Sequence, residues 1–298
     1  PIYLTTIVGK PPQEDFYLGR ATERIFLPLL RTQLPEIVDM DMPVEGVFHN
    51  CVIVSFDKRY PMQSRRLMSA LWGLGQMSFV KIIITVDSNI DVHNYEELVK
   101  LLLDKVNFNL DLFFSEGVLD VLNHGSDNML YGSKLGVDLT EKIEGEPGYG
   151  ESKSTTYNSS PLPSKEEVKN QFSDLKDCRI LDINAGRSVA YVTLNKTQPH
   201  KAKEFIKTFF NASEFSAINI VIVLEGHVKL DNDSTVMWKF FNNLDPKRDF
   251  YFESDRLAID VTQKLKEEGY QQNWPEEIEM PEEIKTRVDR KWNSLFNK

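Results

Sequence analysis

Residues 82–114 pass from apolar to polar and back in an order that predicts strand, turn, helix and strand. Ile82 to Val86 is a short, mostly β-branched run, as a strand covered on both faces requires. Asp87, Ser88, Asn89 and Asp91 supply turn and cap residues. Leu98, Leu101 and Leu102 share one helical face, and Leu110 to Phe114 resumes an extended pattern. The same unit recurs downstream. Ile82 matches Ile220, Val86 matches Leu224, Asp87 matches Glu225, Val92 matches Leu230 and Asp111 matches Asp249, each 138 residues apart. Lys58 with Lys196 and Pro61 with Pro199 keep that spacing. A constant offset over such a distance predicts an internal duplication, with one working copy and one retained for structure. The fold class expected is α/β, a layered arrangement on mixed sheets, present twice.

The remaining pattern fills in around this unit. Residues 2–8 read as a strand, and GKPPQED, 9–15, as a rigid turn. A helix is expected over 16–30, an extended segment in PEIVDMDMP, and a strong strand at 51–56. Pro61 opens a helix running to about Gln76, since proline is tolerated in a first turn. Residues 123–142, NHGSDNMLYGSKLGVDLTEK, read as a Gly-rich polar loop, and 144–164 as a linker. The second copy is expected to begin near Arg179, where RILDI matches EIVDM at an offset of 143. It ends at DRLAIDVTQK, which matches SKLGVDLTEK at an offset of 122. The second copy has therefore lost about sixteen residues where the first has its HGSDNMLYG stretch. Ile284, Val288, Trp292 and Leu295 mark a terminal amphipathic helix. The organisation expected is a first copy at 1–143, a linker at 144–164, and a degenerate second copy with the terminal helix at 165–298.

Composition narrows the function classes. The 298 residues carry a net charge of −10 and no long basic run, which argues against nucleic acid and against an anionic membrane surface as partners. Cys51 and Cys178 are too few for a disulfide framework, which fits a reducing cytoplasm. No apolar run reaches membrane-spanning length. The opening at Pro1, without Met, suggests a piece of a longer protein.

Five scattered histidines, His49, His93, His124, His200 and His227, form no metal-ligand spacing with one another, with Cys or with carboxylates, so no His- or Cys-based metal site is expected in this chain. No P-loop or GxGxxG is present. Arg65 and Arg66 could grip a phosphate through the guanidinium fork; the competing reading is a solvated pair on a surface helix. The HGSDNMLYGSK stretch with Lys134 could wrap a phosphate with backbone N–H groups, or be an ordinary surface turn. Trp72 could face a ligand or pack in the core. In the second copy Arg65 becomes Lys203, Arg66 becomes Glu204, Trp72 becomes Phe210 and Lys134 becomes Arg256. That drift points to the first copy as the one with a site.

PIYLTTIVGKPPQED, PEIVDMDMP, KRYPMQSRRLMSALW, SNIDV and GSKLGVDLTEK together resemble the C-terminal domain of UbiD-type decarboxylases, and EEIKTRVDRKWNSL resembles the end of such proteins. The resemblance covers residue 1 to about 142 and the tail; the stretch between is read as a departure from the family pattern. It implies a non-oxidative carboxy-lyase acting on aromatic or α,β-unsaturated acids, including polyprenyl-hydroxybenzoates of ubiquinone and menaquinone synthesis. It implies prenylated FMN, Mn2+ and K+ as cofactors, and a homo-oligomer. The catalytic and metal-binding residues of the family lie upstream of PIYLTT, so none is expected here, and the chain alone is expected to be inactive. By position, Glu14, Leu18 and Trp72 would line the substrate side, and Arg65, Arg66 and Lys134 would stand near the cofactor phosphate. The competing class is a non-enzymatic, duplicated α/β module for assembly, and a different α/β enzyme is a third reading.

Overall fold

The computed structural model describes residues 13–151, 161–181, 187–277 and 280–296. The strand expected at 2–8 and most of the GKPPQED turn lie outside the described residues. Among the described residues, two five-stranded mixed sheets share one topology. In the first, β1 (Ile37–Asp41) runs antiparallel to β2 (Cys51–Phe56), which is parallel to β3 (Ile82–Asp87). β3 is parallel to β5 (Tyr131–Asp138), and β4 (Leu112–Val118) closes the edge antiparallel to β5. The second repeats this order with β6 (Leu175–Leu181), β7 (Val189–Leu194), β8 (Ile220–Glu225), β10 (Arg256–Asp260) and β9 (Phe250–Glu253). The helices are α1 (Gln13–Gln33), α2 (Gln63–Leu71), α3 (Tyr95–Lys105), α4 (Lys165–Gln171), α5 (Lys201–Asn211), α6 (Asp233–Asn243), α7 (Pro246–Asp249) and α8 (Glu282–Phe296).

Alternation along the strands divides the core. Val52, Val54, Phe56 and Ile83 face outward onto α1 and α2, with Leu30, Leu67 and Leu71. Val192, Val221 and Val223 face α4 and α5 in the same way. The opposite faces, carrying Cys51, Ile53, Ile82, Val189, Ile220 and Ile222, share one cluster with Leu98 and Leu103 of α3 and Val236 and Phe241 of α6. The sheets thus enclose the two middle helices, and each outer face is covered by its own helix pair.

Several boundaries differ from the sequence reading. The offset of 138 extends through the first strand: Ile37 pairs with Phe56 and Leu175 with Leu194, and both registers slip at the next residue. Asp39 and Asp177 each accept the N–H of the following residue, at 2.9 and 3.0 Å. The alignment of RILDI with EIVDM is therefore not the structural one. The second copy starts earlier, with α4, which is opened by a capping box between Ser164 and Glu167. α1 begins at Gln13, so Glu14 is helical, not part of a turn. α2 begins only at Gln63 and ends at Leu71, with a 3₁₀ turn at Gly75–Phe79. Met62 is the left-handed N-cap at φ 63, which keeps Pro61 outside the helix, in the turn before it. The cap of α3 is Asn94, whose side chain accepts from Glu97 N.

The largest difference is β5, which lies inside the stretch read as a loop. Two glycines hide its pattern. Gly136 stands where α2 crosses the sheet, and a Cβ there would collide with Met68 Sδ. The sixteen-residue loss is located here: the connection shrinks from 119–130 to Ser254 and Asp255, while each strand shortens by three. In the stretch read as linker, Glu146 is buried against the first copy. α8 is present as expected, with Val288, Trp292 and Leu295 exposed.

Candidate functional site

Many polar contacts occur twice and so belong to the scaffold. Lys58 Nζ donates to Glu146 Oε2 at 2.6 Å and to Thr140 and Glu141 O; Lys196 does the same with Glu268 at 2.5 Å, Thr262 and Gln263 O. The other oxygen of each glutamate accepts the N–H of a left-handed residue, Met62 or His200. Asp138 and Asp260 each accept from the backbone and hydroxyl of a threonine two residues on. Burial opposes ionisation of both glutamates, yet the lysine and the two N–H donors hold Glu146 and Glu268 below the ordinary carboxylate range.

The residues singled out from sequence fall in three places. Arg65 donates to Leu110 O at 2.7 Å and lies over Phe113, which packs on Trp72 at 5.9 Å; Lys134 lies on the Trp72 ring at 5.7 Å. Arg65, Trp72 and Lys134 therefore form one stack between α2 and the β4–β5 edge. The Lys134 ammonium is buried on Ser78 O and Val80 O, and burial pushes it down to about 8. Its counterpart Arg256 caps Phe210 O, Phe215 O and Ile218 O over the Phe210 ring. Arg66 points elsewhere, exposed, onto Glu36. Glu14 and Leu18 are exposed on α1. Trp72 is partly buried and donates Nε1–H to Val80 O at 3.0 Å.

Among the described residues, one cluster occurs in the first copy alone. Asp41, fully buried at the end of β1, accepts from Arg20 of α1 at 2.6 Å, from His93 Nδ1 at 2.9 Å and from the Tyr95 hydroxyl at 2.7 Å. Glu23 supports Arg20 at 2.9 Å and accepts Met42 N. Burial and the adjoining carboxylate raise the Tyr95 hydroxyl well above its ordinary value, and burial raises Glu23. His93 thus lies between two carboxylates, with Nδ1 on Asp41 and the half-exposed Nε2 3.5 Å from Asp39. Three separate elements meet on one carboxylate, so the cluster fixes α1 against the sheet. In the second copy Asp41, His93 and Tyr95 become Arg179, Asp231 and Asp233, and Arg179 bonds Asp233 and Leu230 O. Sequence reading missed the cluster because its members are far apart in the chain. The reversal of charge between copies was the signal available.

Glu225, His227 and Glu277 bring ligand atoms within 4.8 Å of one another. No spacing in the sequence announces this set, since Glu277 comes from the tail. The Lys239 ammonium lies on Glu277 and 3.5 Å from Glu225, supplying the positive charge there. Among the described residues no helix is long and apolar enough to cross a membrane.

A family profile for the 3-octaprenyl-4-hydroxybenzoate carboxy-lyase C-terminal domain matches residues 16–139 and 162–270. The second match corrects the reading of the middle stretch as a departure from the family pattern. A protein of Helicobacter pylori strain J99 is 31% identical over 97% of this chain and 46% of its own length. One of Archaeoglobus fulgidus is 47% identical over 50% of this chain and 31% of its own. The chain thus spans less than half the length of these relatives. Similar solved structures include a vanillic acid decarboxylase of Sedimentibacter hydroxybenzoicus, at 22% identity, 51% of this chain, 32% of that chain and TM-score 0.40. Another is the UbiD-class enzyme HmfF of Pelotomaculum thermopropionicum in complex with FMN, at 19%, 53%, 34% and 0.40.

Proposed function

This chain belongs to the 3-octaprenyl-4-hydroxybenzoate carboxy-lyase C-terminal domain family, and from that premise we propose that it is the C-terminal part of a UbiD-type decarboxylase. The substrate class proposed is an aromatic acid of the polyprenyl-hydroxybenzoate kind, consumed in quinone synthesis. The observation that carries the reading is the family match over both copies, on two sheets of one topology.

Prenylated FMN, when bound, supplies the electron sink for loss of CO2. The residues here fit its phosphate in part. Arg65 and Arg66 stand on the partly open face of α2, and each guanidinium carries more donors than its bond to Leu110 O or Glu36 uses. Lys134, sealed on two carbonyls, would act by carrying Trp72. Glu14 and Leu18 would stand on the substrate side, on the exposed face of α1 that also carries Tyr17, Ile25 and Leu29. The role of the Asp41 cluster is to hold that helix in one orientation. Acid–base groups, Mn2+ and K+ are assigned to residues outside this chain, so the chain alone is proposed to be inactive and to bind flavin weakly.

The test uses the protein at the full length of its relatives. Arg65→Ala with Arg66→Ala should lower occupancy by prenylated FMN at least about tenfold, equal to about 1.4 kcal/mol. Lys203→Ala with Glu204→Ala should leave it nearly unchanged. Micromolar FMN binding by the present chain, or turnover of a hydroxybenzoate by it, would show the site to be misplaced.

A further inference from the structure

The core between the sheets is made of the same positions twice. Ile82 and Ile220 both belong to it, as do Leu98 and Val236, Leu103 and Phe241, Val106 and Leu244, and Val137 and Ile259. At the edge the equivalent rings Phe114 and Phe252 lie 6.3 Å apart at 83°. Equivalent residues sharing one core, with an equivalent ring pair meeting at its edge, are the mark of an isologous interface, in which one surface patch pairs with itself about a twofold axis. The two copies therefore pack as two subunits of a symmetric dimer would.

One feature breaks the symmetry. The connection 119–130 has no counterpart in the second copy, and it clasps the end of α6. Arg248 donates to Gly125 O at 2.7 Å and to Asp127 at 2.5 Å. His124 Nε2 meets Asn243 Oδ1 at 3.1 Å, and Asp245 accepts from Ser133 of β5. Asn50 donates to Asn242 Oδ1 at 3.0 Å. Gly125 is seated so closely that a Cβ would lie 2.8 Å from Asn242 O and Leu244 O. The first copy does not offer these partners. In place of Asn242, Asn243, Asp245 and Arg248 it has Asp104, Lys105, Asn107 and Leu110. Leu110 cannot donate to the loop, and Lys105 would bring a cation toward His124 and Lys81, which already repel each other's charged forms.

We propose that the second copy is a resident partner: it closes, within one chain, a twofold pairing surface of this fold, and the 119–130 connection makes that pairing specific for a second copy over another first copy. This inference stands on the inter-copy geometry and is independent of the reaction proposed above.

The experiment exchanges the clasp residues between copies in the full chain. The first variant is Asn242→Asp, Asn243→Lys, Asp245→Asn and Arg248→Leu. It should lower the melting temperature and let chains trade second copies. A concentration-dependent species of twice the parent's mass by light scattering is expected, with unchanged far-UV circular dichroism. The reciprocal variant, Asp104→Asn, Lys105→Asn, Asn107→Asp and Leu110→Arg, should keep the parent's mass. Should the fourfold variant fail to fold, Arg248→Leu alone is read in the same way. Parent mass and parent melting for the second-copy variant, or the same mass shift in both variants, would overturn the proposal.

Discussion

Asp41 and Arg179 stand at the same end of the same strand, in two copies of one fold, with opposite charge. Around Asp41 the first copy gathers Arg20, His93 and Tyr95 from three elements. Around Arg179 the second copy has one exposed acid and one carbonyl. At the opposite end of the sheets the copies match atom for atom, with Lys58 and Lys196 each held by a glutamate, a threonine and a carbonyl. Contacts that survive in both copies serve the fold, since a fold needs them wherever it occurs. Contacts that survive in only one are where function should be sought.

The strongest way to break this comparison is at the shared latch. Lys58 and Glu146 are 3% and 2% exposed, so removing the lysine leaves a buried carboxylate without its partner. Lys58→Met should cost about 3–5 kcal/mol, and Lys196→Met a similar amount, in denaturant titrations. A small loss in either copy would mean the latch is not common scaffold.

The unrepeated cluster should behave differently. Asp41→Ala strips three donors of a buried acceptor and should cost about 1.5–3 kcal/mol. Arg179→Ala removes a partly exposed pair, for which about 0–1 kcal/mol is expected. Equal losses would show that the second copy relies on this corner as much as the first. Proteolysis within α1 should rise only in the Asp41 variant.

Packing sharpens the comparison at one residue. Gly136, against Met68 in the first copy, is Ala258 in the second. Gly136→Ala should destabilise by about 1–3 kcal/mol through overpacking, and an added Met68→Ala should recover part of the loss in thermal melts. Full tolerance of Gly136→Ala would show that α2 can shift outward.

Titration separates the two copies as well. Lys81, fully buried, has its second-copy counterpart in Asn219. Burial lowers the Lys81 ammonium to about 7, against the favourable charges of Asp245 and Asp249. The folded state then binds fewer protons than the unfolded one between pH 7 and the ordinary lysine value of 10.5. Stability should therefore rise as pH increases through that window, and Lys81→Met should flatten the rise. Burial also lowers His49 to about 3 and His124 to about 4, so stability should fall as pH drops from 6.5 toward those values. Denaturant midpoints between pH 4 and 9 check both slopes.

Strands and helices with a clear period were legible in the chain itself. The β-branched runs at 51–56 and 82–86, and the spacing of 138, led to two sheets of one topology, because side-chain alternation and repetition are local properties. β5 was not legible, because Gly132 and Gly136 carry no side chain to show a period. What those glycines accommodate, a serine at one and the sulfur of Met68 at the other, comes from elsewhere in the chain. Arg65, Trp72 and Lys134 were picked from their chemistry, yet only packing joined them around Phe113 and sent Arg66 to Glu36. Asp41 with His93, and the meeting of Phe114 with Phe252, belong wholly to tertiary structure. Burial and proximity across tens to hundreds of residues set those partners, and no short stretch of sequence contains them.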